Sequence, residues 1–360
     1  MKLRLIIALA MSVFATLPAP AKDAGDYSAG DAMENVLSGF IRPGYQRLQA
    51  AADGLSSATG KLCQSADTQT LQRVEQRFSE LVSAWGGIEM IRFGPILADN
   101  HLERFFFYPD RRSTSLKRIN RLLAEKEEKA LDPAKLTKLS VALQGLTAFD
   151  IVLSGTGAEA LLKTPNSHRC RYAMAIAANL ASISTLLNRE WHGDHEFLYL
   201  WTTPGYRNPA LASDDTAIAH LISTIVHGLE VVRDVRLAAF LKESADDDRP
   251  KSAPLWRSGN TMGLLAANLA SVEKIYHESD LAHFLPEDKK LIARSIESEF
   301  ATLFELVNRD IEPAQALSNE VERARLVRLR FVISQLITTF DKQLAGTLGL
   351  SIGFFFDDGD

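Results

Sequence analysis

Residues 145–150 read Gly-Leu-Thr-Ala-Phe-Asp, within the longer run LQGLTAFDIVLSGTG. Thr147 and Asp150 are three apart, so on a helix they share one face. The pair offers a hydroxyl, which both donates and accepts hydrogen bonds, and a short carboxylate. Such a face can hold a polar ligand or tie down a neighbouring helix. It is poorly suited to zinc or iron, which favour imidazole or thiolate donors.

Other polar clusters invite the same question. Glu89, Arg92, Glu103, Arg104, Asp110, Arg111 and Arg112 gather around the segments RFGP (92–95) and FFFYPD (105–110). They are expected to form one buried ion-pair network that locks the turn at Gly94-Pro95, with an anion or saccharide pocket as the alternative. Arg257-Ser258-Gly259-Asn260 precedes an apolar helical run. Ser258 is expected to cap that helix, leaving free amides beside an arginine. The stretch Trp191-His192-Gly193-Asp194-His195-Glu196 holds two imidazoles and two carboxylates but reads as an exposed turn. His220 and His227 lie seven apart on one helix beside apolar positions and read as satisfied interface residues. The end, GFFFDDGD (353–360), has three phenylalanines that should not face water. It is expected to dock and to hold Asp357 and Asp360 in place. No HExxH, phosphate-binding loop or nucleophile elbow is present. The candidate ligand-binding residues are therefore Thr147, Asp150, Trp85, Arg92, Asp110, Arg257, Asn260 and Asp360. No catalytic or metal-ligating residue is assigned.

These residues need a scaffold, and the pattern is helical nearly throughout. Leu71, Val74, Phe78, Leu81, Trp85 and Ile88 form one apolar stripe. Ile218, Leu221, Ile222, Ile225, Leu229 and Val232 form another, entered through Ser213 or Asp214 as a cap. Leu329, Val332, Leu336 and Phe340 make a third. Nine or ten helices are predicted, with linkers at 164–167, 203–209 and 246–254. The hexamer AANLAS occurs at 177–182 and again at 266–271, each time after a segment that begins Gly-Leu, at Gly145 and Gly228. Two ordered matches predict an internal duplication, hence an all-α fold of two similar up-and-down helical bundles. The expected organisation is a signal peptide at 1–21, an N-terminal bundle at 22–202, and a C-terminal bundle at 203–360 with the tail docked on it.

Composition narrows the function classes. The chain has 360 residues, 46% hydrophobic and 24% charged, an ordinary globular balance. Lys2 and Arg4, then an apolar run, then Ala19-Pro20-Ala21, give the form of a cleaved secretory signal. No later stretch reaches membrane-spanning length without charges, so the mature chain is expected to be soluble, in the periplasm or cell envelope. Loss of those two basic residues moves the formal net charge from −5 to −7, which argues against nucleic acid as a partner. In an oxidising compartment the two cysteines, Cys63 and Cys170, are expected to form one disulfide.

Several segments together resemble the imelysin-like family of exported bacterial proteins, also grouped with the M75 peptidases. The carriers are GFIRPGYQRL (39–48), AWGGIEMIRFGPI (84–96), ERFFFYPDRR (103–112), LWRSGNT (255–261) and GLSIGFFFDDGD (349–360). The resemblance implies two helical bundles, an envelope location and, for some relatives, a link to iron acquisition. The family also carries a GxHxxE motif on a helix. Here the glycine is Gly145, but Thr147 stands at the histidine position and Asp150 at the glutamate position. The expectation is a non-catalytic protein that binds a small ligand or an envelope partner. Iron or zinc would enter only through the resemblance. One alternative is an M75-type metallopeptidase, which needs other ligands such as His101, His220 or His227 to converge. Another is a structural or partner-binding envelope module.

Overall fold

The computed structural model describes residues 27–307 and 311–352, and among these no strand is present. The expected signal at 1–21 and the tail acids Asp357 and Asp360 lie outside the described residues. Helix α1 (Ala29–Asn35) is capped by Ser28, whose hydroxyl accepts the Asp31 amide at 3.2 Å. A π-helical segment, Val36–Ile41, carries it into α2 (Arg42–Ser65). Ala66 turns left-handed and stops α2; Asp67 then caps α3 (Thr68–Gly86) by accepting the Thr70 amide at 2.8 Å. Three shorter helices follow: α4 (His101–Phe105), α5 (Thr114–Glu125) and α6 (Pro133–Leu136). They lead to α7 (Gly145–Ser154), α8 (Ala160–Lys163), α9 (His168–His192) and α10 (Glu196–Thr202).

The second half opens at α11 (Asp214–Glu230), where Ser213 and Thr216 form a reciprocal capping box, so Ser213 is the cap. A second π-helical segment, Val231–Leu237, joins α11 to α12 (Ala238–Phe240). Then come α13 (Thr261–Glu278), α14 (Leu291–Val307), α15 (Pro313–Ser318) and α16 (Glu320–Thr338), which runs into a third π-helical segment, Thr339–Ala345. Nine α-helices have ten or more residues, within the expected range.

The long helices pack in two groups. One is α2, α3, α7 and α9; the other is α11, α13, α14 and α16. The seam between them is chiefly α3 against α13, and α1 lies on α11. All three apolar stripes face inward; only Leu71 is half-buried. Each fully buried Leu or Phe contributes roughly 1.5–3 kcal/mol, against at most about 1 kcal/mol for an exposed pair such as Arg121–Glu125, so the stripes decide the fold.

The two AANLAS copies fall in α9 and α13, and each buries its asparagine in a polar network. Asn179 donates to Gln144 at 3.0 Å and accepts from Arg104 at 3.3 Å. Asn268 donates to the Gly86 carbonyl at 3.0 Å and to Glu89 at 3.2 Å. Helix α9 is long and apolar enough to cross a membrane by length and composition, but here it is a core helix packed between α2 and α7. Cys63 of α2 and Cys170 of α9 are joined by a disulfide across 107 residues, with Cα atoms 5.5 Å apart.

Candidate functional site

Helix α7 can start where it does only because residue 145 is glycine. Its φ is +73°, and an added Cβ would sit 2.3 Å from the Phe105 carbonyl oxygen at the end of α4. That close approach sets the register of the next two turns. Thr147 then donates its hydroxyl to the Phe107 carbonyl at 2.8 Å. One turn on, Asp150 is 2% exposed and accepts the backbone N–H of Ser258 at 3.0 Å. Burial pushes the Asp150 carboxyl up to about 6, against the pull of the Ser258 hydrogen bond and of Arg257. The helix thus fastens two irregular segments, FFFYPD on one side and RSGN on the other.

Both residues also line a cavity of about 580 Å³. One wall is the FFFYPD segment with Tyr108, Asp110 and Arg111. Another is the second π-helical segment and its continuation, with Asp234, Val235 and Lys242. A third is the loop that brings Arg249, Lys251, Trp256 and Arg257. Arg257 lies 3.9 Å from Asp150 and 4.5 Å above the Trp256 ring. Four of the eight candidate residues therefore meet at one place: Thr147, Asp150, Asp110 and Arg257.

The other described candidates lie elsewhere. Trp85 is buried and stacks on Phe105 at 4.4 Å, away from the cavity lining. Asn260 is buried and donates to Ser258; it lines a second cavity of about 450 Å³, which shares Trp256 and Arg257 with the first. Arg92 pairs with Glu89 at 3.3 Å and borders a cleft of only about 20 Å³ with His220 and His227.

Two expectations are corrected. Ser258 does not cap α13: that helix begins at Thr261, and the Ser258 hydroxyl donates back to Leu255 while its amide serves Asp150. Nor is the arginine-rich region around 89–112 one network. Glu89 pairs with Arg236 from the second π-helical segment, under the stacked rings of Phe106 and Tyr108. Arg104 instead bonds Gln144 and Asn179, Asp110 accepts the Thr114 and Ser115 amides at 2.7 Å, and Glu103, Arg111 and Arg112 are exposed. The region divides because the chain turns at Gly94 and sends its two ends to different helix groups.

Sequence reasoning missed Arg236, Lys242, Arg249, Lys251 and Trp256. Trp256 could have been found, because it sits inside LWRSGNT. Arg236 carries no local signal; its partner lies 147 residues away.

A metal fits these residues poorly. The Thr147 hydroxyl proton is committed to a carbonyl, and Asp150 spends one oxygen on an amide. Among the described residues, no three His, Cys, Asp or Glu side chains converge as a ligand set. His101 contacts the Pro95 carbonyl at 3.3 Å, and His220, pushed down to about 4 chiefly by burial, packs edge-on to Phe93 and Trp201.

A family model described as Imelysin (Peptidase_M75) matches residues 41–336. The fold is similar to that of an imelysin-like protein from Psychrobacter arcticum 273-4, with a TM-score of 0.75 at 19% identity, covering 91% of this chain and 99% of that one. It is also similar to a protein titled a putative iron-regulated protein A precursor from Parabacteroides distasonis ATCC 8503, with a TM-score of 0.66 at 12% identity, covering 92% and 95%. A search of curated proteins returned no match.

Proposed function

Because this chain belongs to the imelysin family, we propose that it is an exported, non-catalytic binding protein of the cell envelope whose ligand site is the cavity beside α7. One observation carries the reading: both altered motif residues are occupied with backbone groups, Thr147 with the Phe107 carbonyl and Asp150 with the Ser258 amide. A residue holding loops in place cannot at the same time activate a water. Export is supported by the signal-like first 21 residues and by the Cys63–Cys170 disulfide, which belongs in an oxidising compartment. The link to iron rests on the printed title of the Parabacteroides distasonis relative and extends the proposal to expression under iron limitation. The metallopeptidase alternative gains nothing from His101, His220 or His227, none of which lines the cavity.

Metal analysis of protein purified without chelators is the test. Substoichiometric zinc and iron are expected; one tightly held metal per chain would overturn the non-catalytic reading. As a companion, Thr147→His combined with Asp150→Glu should raise zinc affinity over the parent protein. Growth and transcript level with and without iron check the physiological part separately.

A further inference from the structure

The charges around the cavity select its ligand, and this step rests on the reading of that cavity as the binding site. Among the described residues that line it, three are carboxylates, and each is already served by the protein. Asp110 accepts two amides at the start of α5. Asp150 accepts the Ser258 amide. Asp234 is held at 2.7 Å through both oxygens by Arg233, which points away from the cavity lining.

The cations on the same walls are Arg111, Lys242, Arg249, Lys251 and Arg257. They outnumber the acids and are far less engaged. Lys242 donates to the Ala238 carbonyl. Lys251 lies 5.9 Å from the centre of the Trp256 ring. Arg257 is 3.9 Å from Asp150, beyond hydrogen-bond range. The exposed guanidinium groups of Arg111 and Arg249 form no hydrogen bond or ion pair with described residues. These five groups come from three separate stretches of chain, so they face the cavity from different sides. Tyr108, Leu116, Ile151 and Trp256 give it an apolar lining between them.

We infer that the cavity takes a small organic anion bearing two or more carboxylate or phosphate groups. Guanidinium forks match both oxyanions in two-point geometry, and opposed cations suit a ligand charged at more than one end. The volume suits a ligand of that size.

Titration calorimetry of the full chain tests this with three probes: propane-1,2,3-tricarboxylate, inorganic pyrophosphate and the neutral propane-1,2,3-tricarboxamide. At least one anion should bind, and the triamide should bind at least about tenfold more weakly. The anion's affinity should fall with added sodium chloride. Arg111→Ala and Arg249→Ala, both exposed and so safe for folding, should each weaken it about tenfold, while Lys61→Ala on α2 should not. Which anion binds distinguishes planar carboxylate from tetrahedral phosphate chemistry. Failure of both anions, or triamide binding as tight as theirs, overturns the inference and leaves the cavity reading standing. Anion binding unmoved by either arginine substitution overturns the cavity reading itself.

Discussion

The Asp150 carboxylate accepts the backbone amide of Ser258 at 3.0 Å across 108 residues of sequence. It joins the helix that carries the altered motif to the loop that carries Trp256 and Arg257. The short reach of aspartate matches a partner that is a backbone N–H close to the helix surface.

The same residue should give the protein a measurable pH signature. In the folded chain Asp150 titrates near 6, above its ordinary 3.8, because burial disfavours its charge. Between those values the folded state keeps a proton that the unfolded state releases. Stability should therefore fall as pH rises from about 4 to 6, by about 3 kcal/mol from this group, and level off above. Asp150→Asn keeps the acceptor oxygen and removes the titration. Urea midpoints from pH 4 to 7 should show that part of the slope vanish in the variant; an unchanged slope would assign it to other groups.

Gly145 and Gly263 make a matched pair. Gly145→Ala forces a Cβ against the Phe105 carbonyl at positive φ and should destabilise by more than about 1 kcal/mol. Gly263 sits in α13 with open space around it, so Gly263→Ala should stabilise by about 0.5–1 kcal/mol. Thermal melts of the two variants should move in opposite directions.

Glu89 and Arg236 are both nearly inaccessible, and Arg236 lies under Phe106 and Tyr108. Glu89→Leu leaves that guanidinium without its carboxylate and should cost about 3–5 kcal/mol. Replacing both, as Glu89→Leu with Arg236→Met, should recover much of the loss. Denaturant titrations that find the double variant no better than the single would refute the pairing account.

The Cys63–Cys170 bridge closes a 107-residue separation. Replacing both cysteines with alanine should lower stability by about 2–5 kcal/mol. In unreduced, denatured protein a thiol reagent should label neither position; two labelled cysteines would remove the bridge and weaken the argument for export.

The helices were legible because their cause is local. The stripe through Val74, Phe78 and Leu81 has the spacing of one helix face, and Ser213 announces α11 by its hydroxyl. The site was half legible. Thr147, Asp150, Asp110 and Arg257 stood out by residue type and meet at the cavity. Ser258 was misread because what it contributes is its backbone amide, which every residue but proline possesses and which side-chain identity cannot announce. Arg236 was missed because nothing near position 236 refers to Glu89; their meeting is made by the packing of α3 against the second helix group. Asn260 and Trp85 were drawn in by neighbouring motif letters, and both serve local order instead.

The widened turns at Val231–Leu237 set a rule about length rather than chemistry. A π turn holds one residue more than the α turn it replaces, so deleting any one residue there would let the helix relax to ordinary winding. Everything beyond the cut would then rotate by about 100° relative to what precedes it. Side chains now on the chamber wall would swing out of phase with it, even if every remaining letter were kept. Substitutions in this stretch can be tolerated one at a time, whereas its residue count is fixed by geometry.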